Sequence, residues 1–243
     1  MAIHYLNCFT CNARLPRHWQ SGALCLLVET NTGLVLVDTG LGTGDYINAP
    51  GILNAFKLIT IVPLVPEEAA VLQIPKLGYQ SEDVRHIVLT HMHFDHAGGL
   101  PDFPWATIHV HRLEIEAIKS GKIHRWTDGG YNRRILDHGP EFVFYEWKGE
   151  HWYDFEAIRL PFEPEMWLLP LFGHTSGHCG VAIKDGDGWL LHAGDAASFA
   201  KDAPPWIVKF VLGPHQSRLR AFDEAHPEVC MTTGHMSLEF FNK

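Results

Sequence analysis

Four side chains that can bind metal ions stand within one stretch of six residues, directly after the apolar run 87–89. They are His91, His93, Asp95 and His96. Imidazole nitrogens and carboxylate oxygens are the usual ligands of catalytic zinc, and they also suit iron and manganese. A polar loop of random sequence rarely concentrates such groups, so the spacing indicates a metal site.

Three residues of the same types follow far downstream, each directly after a glycine: His174, Asp195 and His235. Glycine has no Cβ, which lets the backbone turn sharply toward an ion. Together the two sets give seven candidate ligands, five His and two Asp. Seven exceed the needs of one tetrahedral ion, but they suit two ions that share a bridging carboxylate and a bridging water.

The hydrophobic pattern predicts a strand-rich chain. Two apolar runs, 24–30 and 33–38, predict a β-hairpin, and helices are expected over 112–120, with Leu113 and Ile115 inward, and over 218–225. Further strands are predicted over these ranges: 86–90, 107–111, 142–147, 156–160, 166–172, 180–184, 189–192 and 229–233.

These elements could bring the candidate ligands together. His91, His174, Asp195 and His235 each come just past the end of a predicted strand, and strand ends on one edge can converge on one cleft. Many strands with helices outside them favour an α/β fold, an αββα four-layer sandwich, over a parallel sheet.

A single domain is expected over residues 1–243, because the length and the 46% hydrophobic content allow one sizeable core. Residues 41–75 are irregular, apolar and proline-containing. Long loops in compact domains usually have a function, so this 41–75 segment is predicted to be a lid or insertion over the site.

The composition restricts the partners. The net charge is −9 and no block of Lys and Arg occurs, which argues against nucleic acid and membrane partners. The sequence has neither a signal-peptide pattern nor an apolar run of about 18 residues. We therefore expect a cytoplasmic protein that acts on a small molecule; a homodimer is compatible with these features.

Five cysteines without framework spacing, among them Cys8 and Cys11, are expected to be reduced thiols.

The pattern HxHxDH over residues 91–96, followed by the three downstream residues, resembles the metallo-β-lactamase-fold hydrolases, and stretches 36–40 and 173–178 match further motifs of that superfamily. The resemblance implies two groups of metal ligands and one bridging carboxylate: His91, His93 and His174; Asp95, His96 and His235; and Asp195 between them. It also implies that Asp38 orients a metal ligand and that His178 is structural.

Within that superfamily the chain is most similar to the N-acyl homoserine lactonases, through stretches 25–30, 36–40, 77–79 and 93–99. The 41–75 segment lies where those enzymes carry a substrate-covering insertion. Those lactonases place a Tyr three residues after the bridging Asp, whereas this chain has Ser198, followed by Phe199. These two residues are the candidates for the substrate pocket.

The resemblance implies a hydrolase in which a hydroxide bridging two divalent ions attacks a lactone or ester carbonyl, with Asp95 and Asp195 as the catalytic carboxylates. Zinc is the first expectation, and iron, manganese or cobalt are alternatives. No GxSxG serine motif is present. Two other functions stay open: an organophosphate or arylester hydrolase with the same site, and a mononuclear iron dioxygenase in which Asp95, His96 and His235 are partly idle.

Overall fold

The computed structural model describes residues 2–13, 20–58, 60–121, 129–198 and 211–242. Its first sheet contains these strands: β1 (Ile3–Ala13), β2 (Gln20–Thr30), β3 (Gly33–Val37), β4 (Thr60–Ile61), β5 (Val84–Val88), β6 (Thr107–His111), β7 (Phe142–Tyr145) and β15 (His235–Ser237). Their order is β4-β1-β2-β3-β5-β6-β7, and β15 pairs with β2. Strands β3, β5, β6 and β7 are parallel, so their carboxyl ends lie at one edge.

The second sheet follows the chain order: β10 (Ile158–Arg159), β11 (Met166–Pro170), β12 (Cys179–Asp185), β13 (Gly188–His192) and β14 (Val229–Thr232). Neighbouring strands are antiparallel except β13 and β14, which are parallel. A separate two-stranded ribbon joins β8 (His151–Trp152) and β9 (Phe155–Glu156).

The helices lie outside the sheets, as α1 (Thr43–Ile47), α2 (Gly51–Phe56), α3 (Ala70–Gln73), α4 (Phe94–Ala97), α5 (Arg112–Ser120) and α6 (Gln216–Ala225). Short 3-10 helices cover 66–68, 74–77, 81–83, 100–102, 133–136, 194–196 and 238–242.

Apolar cores lie between the layers. The central core joins β2, β3 and β5 to β10, β11, β12 and β13, and it explains why strand β2 is almost continuously apolar: both of its faces are covered. Helices α3 and α5 cover the outer face of the first sheet, while α6 covers the second sheet through Leu219 and Phe222. The order helix, sheet, sheet, helix confirms the predicted αββα sandwich.

The structure confirms the predicted hairpin of β2 and β3 and the helix over 112–120. The orientation predicted for Leu113 is wrong: its side chain is exposed, and Glu114 is fully buried in its place. Strand β1 was not predicted, because its sequence mixes polar and apolar residues and its register shifts between Asn7 and Thr10. The cysteines on it, like the others, are free thiols.

The 41–75 segment is more regular than predicted, since it contains α1, α2, β4 and α3. Two contacts tie it to β1. Strand β4 pairs with the end of β1, and the Glu68 carboxylate accepts hydrogen bonds from the Thr10 amide at 2.8 Å and the Thr10 hydroxyl at 2.5 Å. Along the parts of the chain that the structure describes, no helix is long and apolar enough to cross a membrane.

Candidate metal centre

The seven candidate ligands meet where strands of both sheets end. His91, His93, Asp95 and His96 follow β5, and Asp38 follows the neighbouring parallel strand β3. From the second sheet, His174 follows β11 and Asp195 follows β13. His235 is the first residue of β15 in the first sheet, and two residues separate it from the end of β14. The sandwich thus brings residues that are up to 144 positions apart in the sequence into one cleft (235 − 91 = 144).

The described residues include three groups of ligand atoms that are compact enough to hold an ion. Besides the group of His91, His96 and Asp195, two groups have no residue in common. One contains His91, His93 and His174, the other contains Asp95, His96 and His235, and within each group the ligand atoms lie within 4.8 Å of one another. In the second group His235 Nε2 lies 3.4 Å from Asp95 Oδ2.

Asp195 stands between the two groups. Its Oδ1 lies 3.5 Å from His96 Nε2, and its Oδ2 lies 3.4 Å from His174 Nε2 and 3.6 Å from His235 Nε2. One carboxylate therefore faces imidazoles of both groups, which is the arrangement expected of a bridging ligand.

Asp38 fixes the orientation of two histidines from behind the cleft. Its Oδ2 lies 2.8 Å from His96 Nδ1 and 2.7 Å from the Thr90 hydroxyl, and its Oδ1 accepts the Thr90 amide at 2.8 Å. Because the Thr90 hydroxyl donates to the carboxylate, it accepts from His91 Nδ1 at 3.0 Å. Thr90, which the sequence analysis did not single out, thereby extends the influence of Asp38 to His91.

These hydrogen bonds decide which ring nitrogens carry lone pairs. His91 and His96 donate through Nδ1, so in the neutral ring Nε2 is an acceptor, and in both residues Nε2 is buried without a hydrogen-bond partner. His174 donates through Nδ1 to the Val211 carbonyl at 2.8 Å, so its Nε2 is likewise an acceptor. That atom nevertheless lies 3.4 Å from an acceptor oxygen of Asp195.

Acceptors that face one another in a buried cleft are unfavourable unless a cation lies between them. The residues present therefore fit metal ions, on the geometry of their own hydrogen bonds. Gly234 allows this close approach, since a Cβ at that position would stand 2.2 Å from Asp195 Oδ1.

The electrostatics of the cleft lead to the same conclusion. Burial would raise the pKa of Asp195, but the imidazoles of His235 and His96 outweigh it and hold this pKa well below its ordinary value. Burial would lower the pKa of His96, but the carboxylates of Asp195 and Asp38 raise it to about 9. The buried carboxylates thus attract positive charge, which a metal ion supplies as well as a proton does.

In the first ligand group, the pKa values of the histidines are lowered instead of raised. Burial and the neighbouring imidazole of His174 lower the pKa of His93 to about 3, and burial followed by His96 lowers the pKa of His91 well below its ordinary value. These rings stay neutral at physiological pH, and the neutral ring is the form that binds metals.

His178 supports Asp195 through the backbone. Its Nε2 accepts a hydrogen bond from the Asp195 amide at 2.9 Å, and the side chain is completely buried. Gly194 has a left-handed φ of 53°, and a Cβ there would stand 2.7 Å from the same nitrogen. His178 therefore has the kind of contact expected of a structural residue.

Glu114 is a residue of the site that the sequence analysis missed. It is completely buried in the first turn of α5, and it accepts hydrogen bonds from the loops that carry His91, His93 and His174. Burial raises its pKa, while the donors around it act in the opposite direction. A signal was present, because Glu114 and the buried Ile118 are four residues apart and lie on the same face of the helix.

The residues predicted for the substrate pocket are only partly described. Phe199 lies outside the described residues. Ser198 is half-buried, and its backbone is held by Gln216, whose side chain accepts from the Ser198 amide and donates to the Ser198 carbonyl, both at 2.9 Å. Two phenols that could replace the lactonase Tyr are engaged elsewhere: Tyr131 bonds to Glu114 at 3.2 Å, and Tyr145 bonds to His109 at 2.8 Å.

The fold and the cleft define a class of protein. The chain belongs to the metallo-beta-lactamase superfamily, which it matches over residues 19–235. Membership of this superfamily implies divalent metal ions, which the groups of His and Asp residues described above could hold.

Two relatives show which members of the superfamily this chain is similar to in sequence. A probable metallo-hydrolase of Mycobacterium tuberculosis is 42% identical over 200 residues, which are 80% of this chain and 62% of that protein. An N-acyl homoserine lactonase of Bacillus thuringiensis is 41% identical over 162 residues, which are 66% of this chain and 57% of that protein. The aligned region spans less than two thirds of either relative.

A solved structure shows that the chain is also similar to a lactonase in its fold. An N-acyl homoserine lactone hydrolase with the product N-hexanoyl-L-homoserine bound at its catalytic metal centre has a TM-score of 0.71 and 25% identity to this chain. The match covers 99% of this chain and 94% of that one. The chain is therefore a member of the metallo-beta-lactamase superfamily that is related to the N-acyl homoserine lactonases.

Proposed function

We propose that this protein is a dinuclear metallo-hydrolase that opens lactones or hydrolyses esters with an apolar tail. The observation that carries the proposal is the position of Asp195, whose two oxygens lie 3.4–3.6 Å from imidazole nitrogens of both ligand groups. Zinc is the metal we expect, because the site is rich in imidazole, although iron, manganese and cobalt accept the same ligands.

Each residue has a distinct role in this proposal. His91, His93 and His174 hold one ion, and Asp95, His96 and His235 hold the other. Asp195 bridges the two ions. Asp38 orients His96 directly and His91 through Thr90, by the hydrogen bonds described above.

When bound, two such ions lower the pKa of a shared water and polarise the scissile carbonyl. The imidazoles of His91 and His93 stay neutral and the carboxylates stay ionised, so these ligand atoms carry no proton. At His96, whose pKa the neighbouring carboxylates raise to about 9, a metal ion would displace a proton. Asp95 carries one of the two carboxylates in the cleft and can accept and pass on a proton during hydrolysis. No serine nucleophile is required.

The choice of an apolar substrate rests on the surroundings of the second ligand group. Phe94, between two ligands in the sequence, packs in an apolar cluster with Phe9 and Phe56, at ring distances of 6.1 and 5.7 Å. Phe56 belongs to the 41–75 segment, which contributes most of the partly buried residues of this cluster. The segment thus supplies apolar surface beside the cleft, which supports its role as a cover for an acyl tail.

A second candidate is an arylester or phosphotriester hydrolase with the same two ions. The observation that favours it is Ser198, which stands where the lactonases have Tyr, together with the engagement of Tyr131 and Tyr145 by other partners. A mononuclear iron dioxygenase is the remaining alternative. It would leave three of the converging ligands without an ion.

A hydrolysis screen of the zinc-loaded protein tests the proposal. The substrates are N-acyl homoserine lactones of short and long chain, arylesters, phosphotriesters and a β-lactam, with oxygen consumption followed in parallel. We expect lactones or esters with long apolar tails to be turned over faster than short polar ones. Oxygen consumption without hydrolysis, or hydrolysis of the phosphotriesters alone, would contradict the proposal.

A further inference from the structure

We propose that Glu114 is a positioning residue, which holds the loop of His91 and His93 and the loop of His174 at the separation that one metal ion requires. The inference rests on the proposed function, since it concerns the geometry of the first ligand group. Glu114 touches neither a ligand atom nor the cleft, so any effect of this residue is transmitted through the groups that it binds.

The carboxylate of Glu114 connects the two loops directly. Its Oε2 accepts the amide of Met92, which lies between two ligands, at 2.8 Å. Its Oε1 accepts the Thr175 hydroxyl at 2.6 Å and the Gly177 amide at 2.8 Å, just after His174. Each oxygen therefore serves a different loop, and the rigid carboxylate fixes the distance between them.

A third segment is attached to the same group. The Tyr131 hydroxyl lies 3.2 and 3.3 Å from the two oxygens of Glu114. The Tyr131 backbone forms a bridge with His93, and the two rings stand edge to face with 5.2 Å between their centroids. A Cβ on Gly130 would lie 2.7 Å from the His93 ring. Residues 130–131 therefore form a wall behind His93, which Glu114 holds in place.

An ionised carboxylate satisfies all of these contacts. Met92, Thr175, Gly177 and Tyr131 all donate, and a carboxylate is a pure acceptor with room for four donors on two oxygens. Glu114 also lies in the first turn of the nine-residue helix α5, where the helix dipole favours a negative charge. The helix can approach this closely because position 177 is glycine: a Cβ there would stand 2.7 Å from the Glu114 amide nitrogen.

The connection made by Glu114 also affects the atoms that would bind the metal ion. His93 Nδ1 and His174 Nε2 are 3.1 Å apart, yet they belong to the two loops that Glu114 connects. Without that connection nothing would join Met92 to Thr175 and Gly177, and metal binding would have to order these parts of the two loops. We therefore expect the loss of Glu114 to weaken metal binding more than it disturbs the rest of the fold.

The test compares Glu114→Gln with Glu116→Gln, the same change at an exposed position of the same helix. Glutamine keeps one acceptor oxygen but turns an amide group toward either the Met92 amide or the Thr175 and Gly177 donors. Zinc affinity is measured by competition with a chromogenic chelator, which does not depend on activity. We expect Glu114→Gln to bind zinc about 10- to 100-fold more weakly and Glu116→Gln to match the wild type.

A second readout separates positioning from general destabilisation. Glu114→Gln, fully loaded at high zinc concentration, should lose kcat while its KM stays within about twofold, because the substrate does not contact Glu114. Wild-type zinc affinity and kcat in Glu114→Gln would overturn the inference, although the proposed function would stand. Failure of the wild-type protein to bind zinc would instead contradict the proposed function.

If Glu114→Gln does not fold, two variants that disturb the structure less can test the inference. Thr175→Val has nearly the same shape and lacks the hydroxyl, whereas Thr175→Ser keeps the hydroxyl. We expect Thr175→Val to lower zinc affinity about 10-fold and Thr175→Ser to restore most of it. Equal affinities in these two variants would contradict the inference.

Discussion

The interaction most open to a quantitative test is the hydrogen bonding of Asp38 to His96 and, through Thr90, to His91. Asp38 is completely buried and accepts three donors, the Thr90 amide, the Thr90 hydroxyl and His96 Nδ1, at 2.7–2.8 Å. It also has a left-handed φ of 56°, a conformation that Asn tolerates as well as Asp does. Asp38→Asn therefore changes the hydrogen bonding without changing the backbone preference.

The size of the effect follows from counting donors. Asparagine has one acceptor oxygen and one NH₂ group, so in its better orientation one buried donor faces the NH₂ group, and in the other orientation two do. One unsatisfied buried donor costs about 1–3 kcal/mol, and we expect the free energy of unfolding to fall by at least about this amount. Because His96 and His91 lose their orientation, zinc affinity should fall about 10- to 100-fold.

The assay combines urea unfolding of the metal-free protein with chelator competition for zinc. The matched control is Asp187→Asn, the same change at an exposed position in the turn between β12 and β13. The control should behave as the wild type. If Asp38→Asn kept both wild-type stability and wild-type zinc affinity, the argument that Asp38 orients His96 and, through Thr90, His91 would be refuted.

Two further predictions concern the substrate pocket and the segment beside it. Ser198→Tyr should raise turnover of N-acyl homoserine lactones by up to about 100-fold and leave arylesters unchanged; no change on either substrate would mean that position 198 is not near the substrate. Burial raises the pKa of Asp45 in α1 to about 6. Since the folded state binds this proton more tightly, the contribution of Asp45 to stability is lost as the pH rises from about 4 to about 6. Asp45→Asn should therefore gain stability relative to wild type, on the order of 2 kcal/mol, between pH 5 and pH 8 in urea unfolding, and an unchanged difference would disprove the assignment.

The candidate metal ligands could be identified from the sequence alone. Four ligand-type residues lie within six positions of the chain, and the distant ones each follow a glycine at the end of a predicted strand, so short-range patterns were sufficient to identify them. The layer order was also predictable, because strands covered on both faces, such as β2, are almost continuously apolar.

Other features depend on contacts that no local pattern encodes. The spacing of Glu114 and Ile118 places Glu114 on the buried face of α5, but the donors that make the burial of a carboxylate favourable come from three loops that are distant in the sequence. Strand β1 has a mixed pattern because its register shifts next to Thr10, where Glu68 of the 41–75 segment binds. His192 was not among the candidates, yet it is completely buried with its Nε2 3.8 Å from Asp38.

The central claim is that two ions are bound and that Asp195 bridges them. Elemental analysis of the protein as purified, beside Asp195→Ala, tests it most directly. We expect about two transition-metal ions per wild-type chain, with zinc predominant, and in Asp195→Ala we expect a loss of metal from both sites together with most of the activity. A reproducible content near one ion per chain with full activity, or an Asp195→Ala variant with wild-type metal content and turnover, would contradict the account.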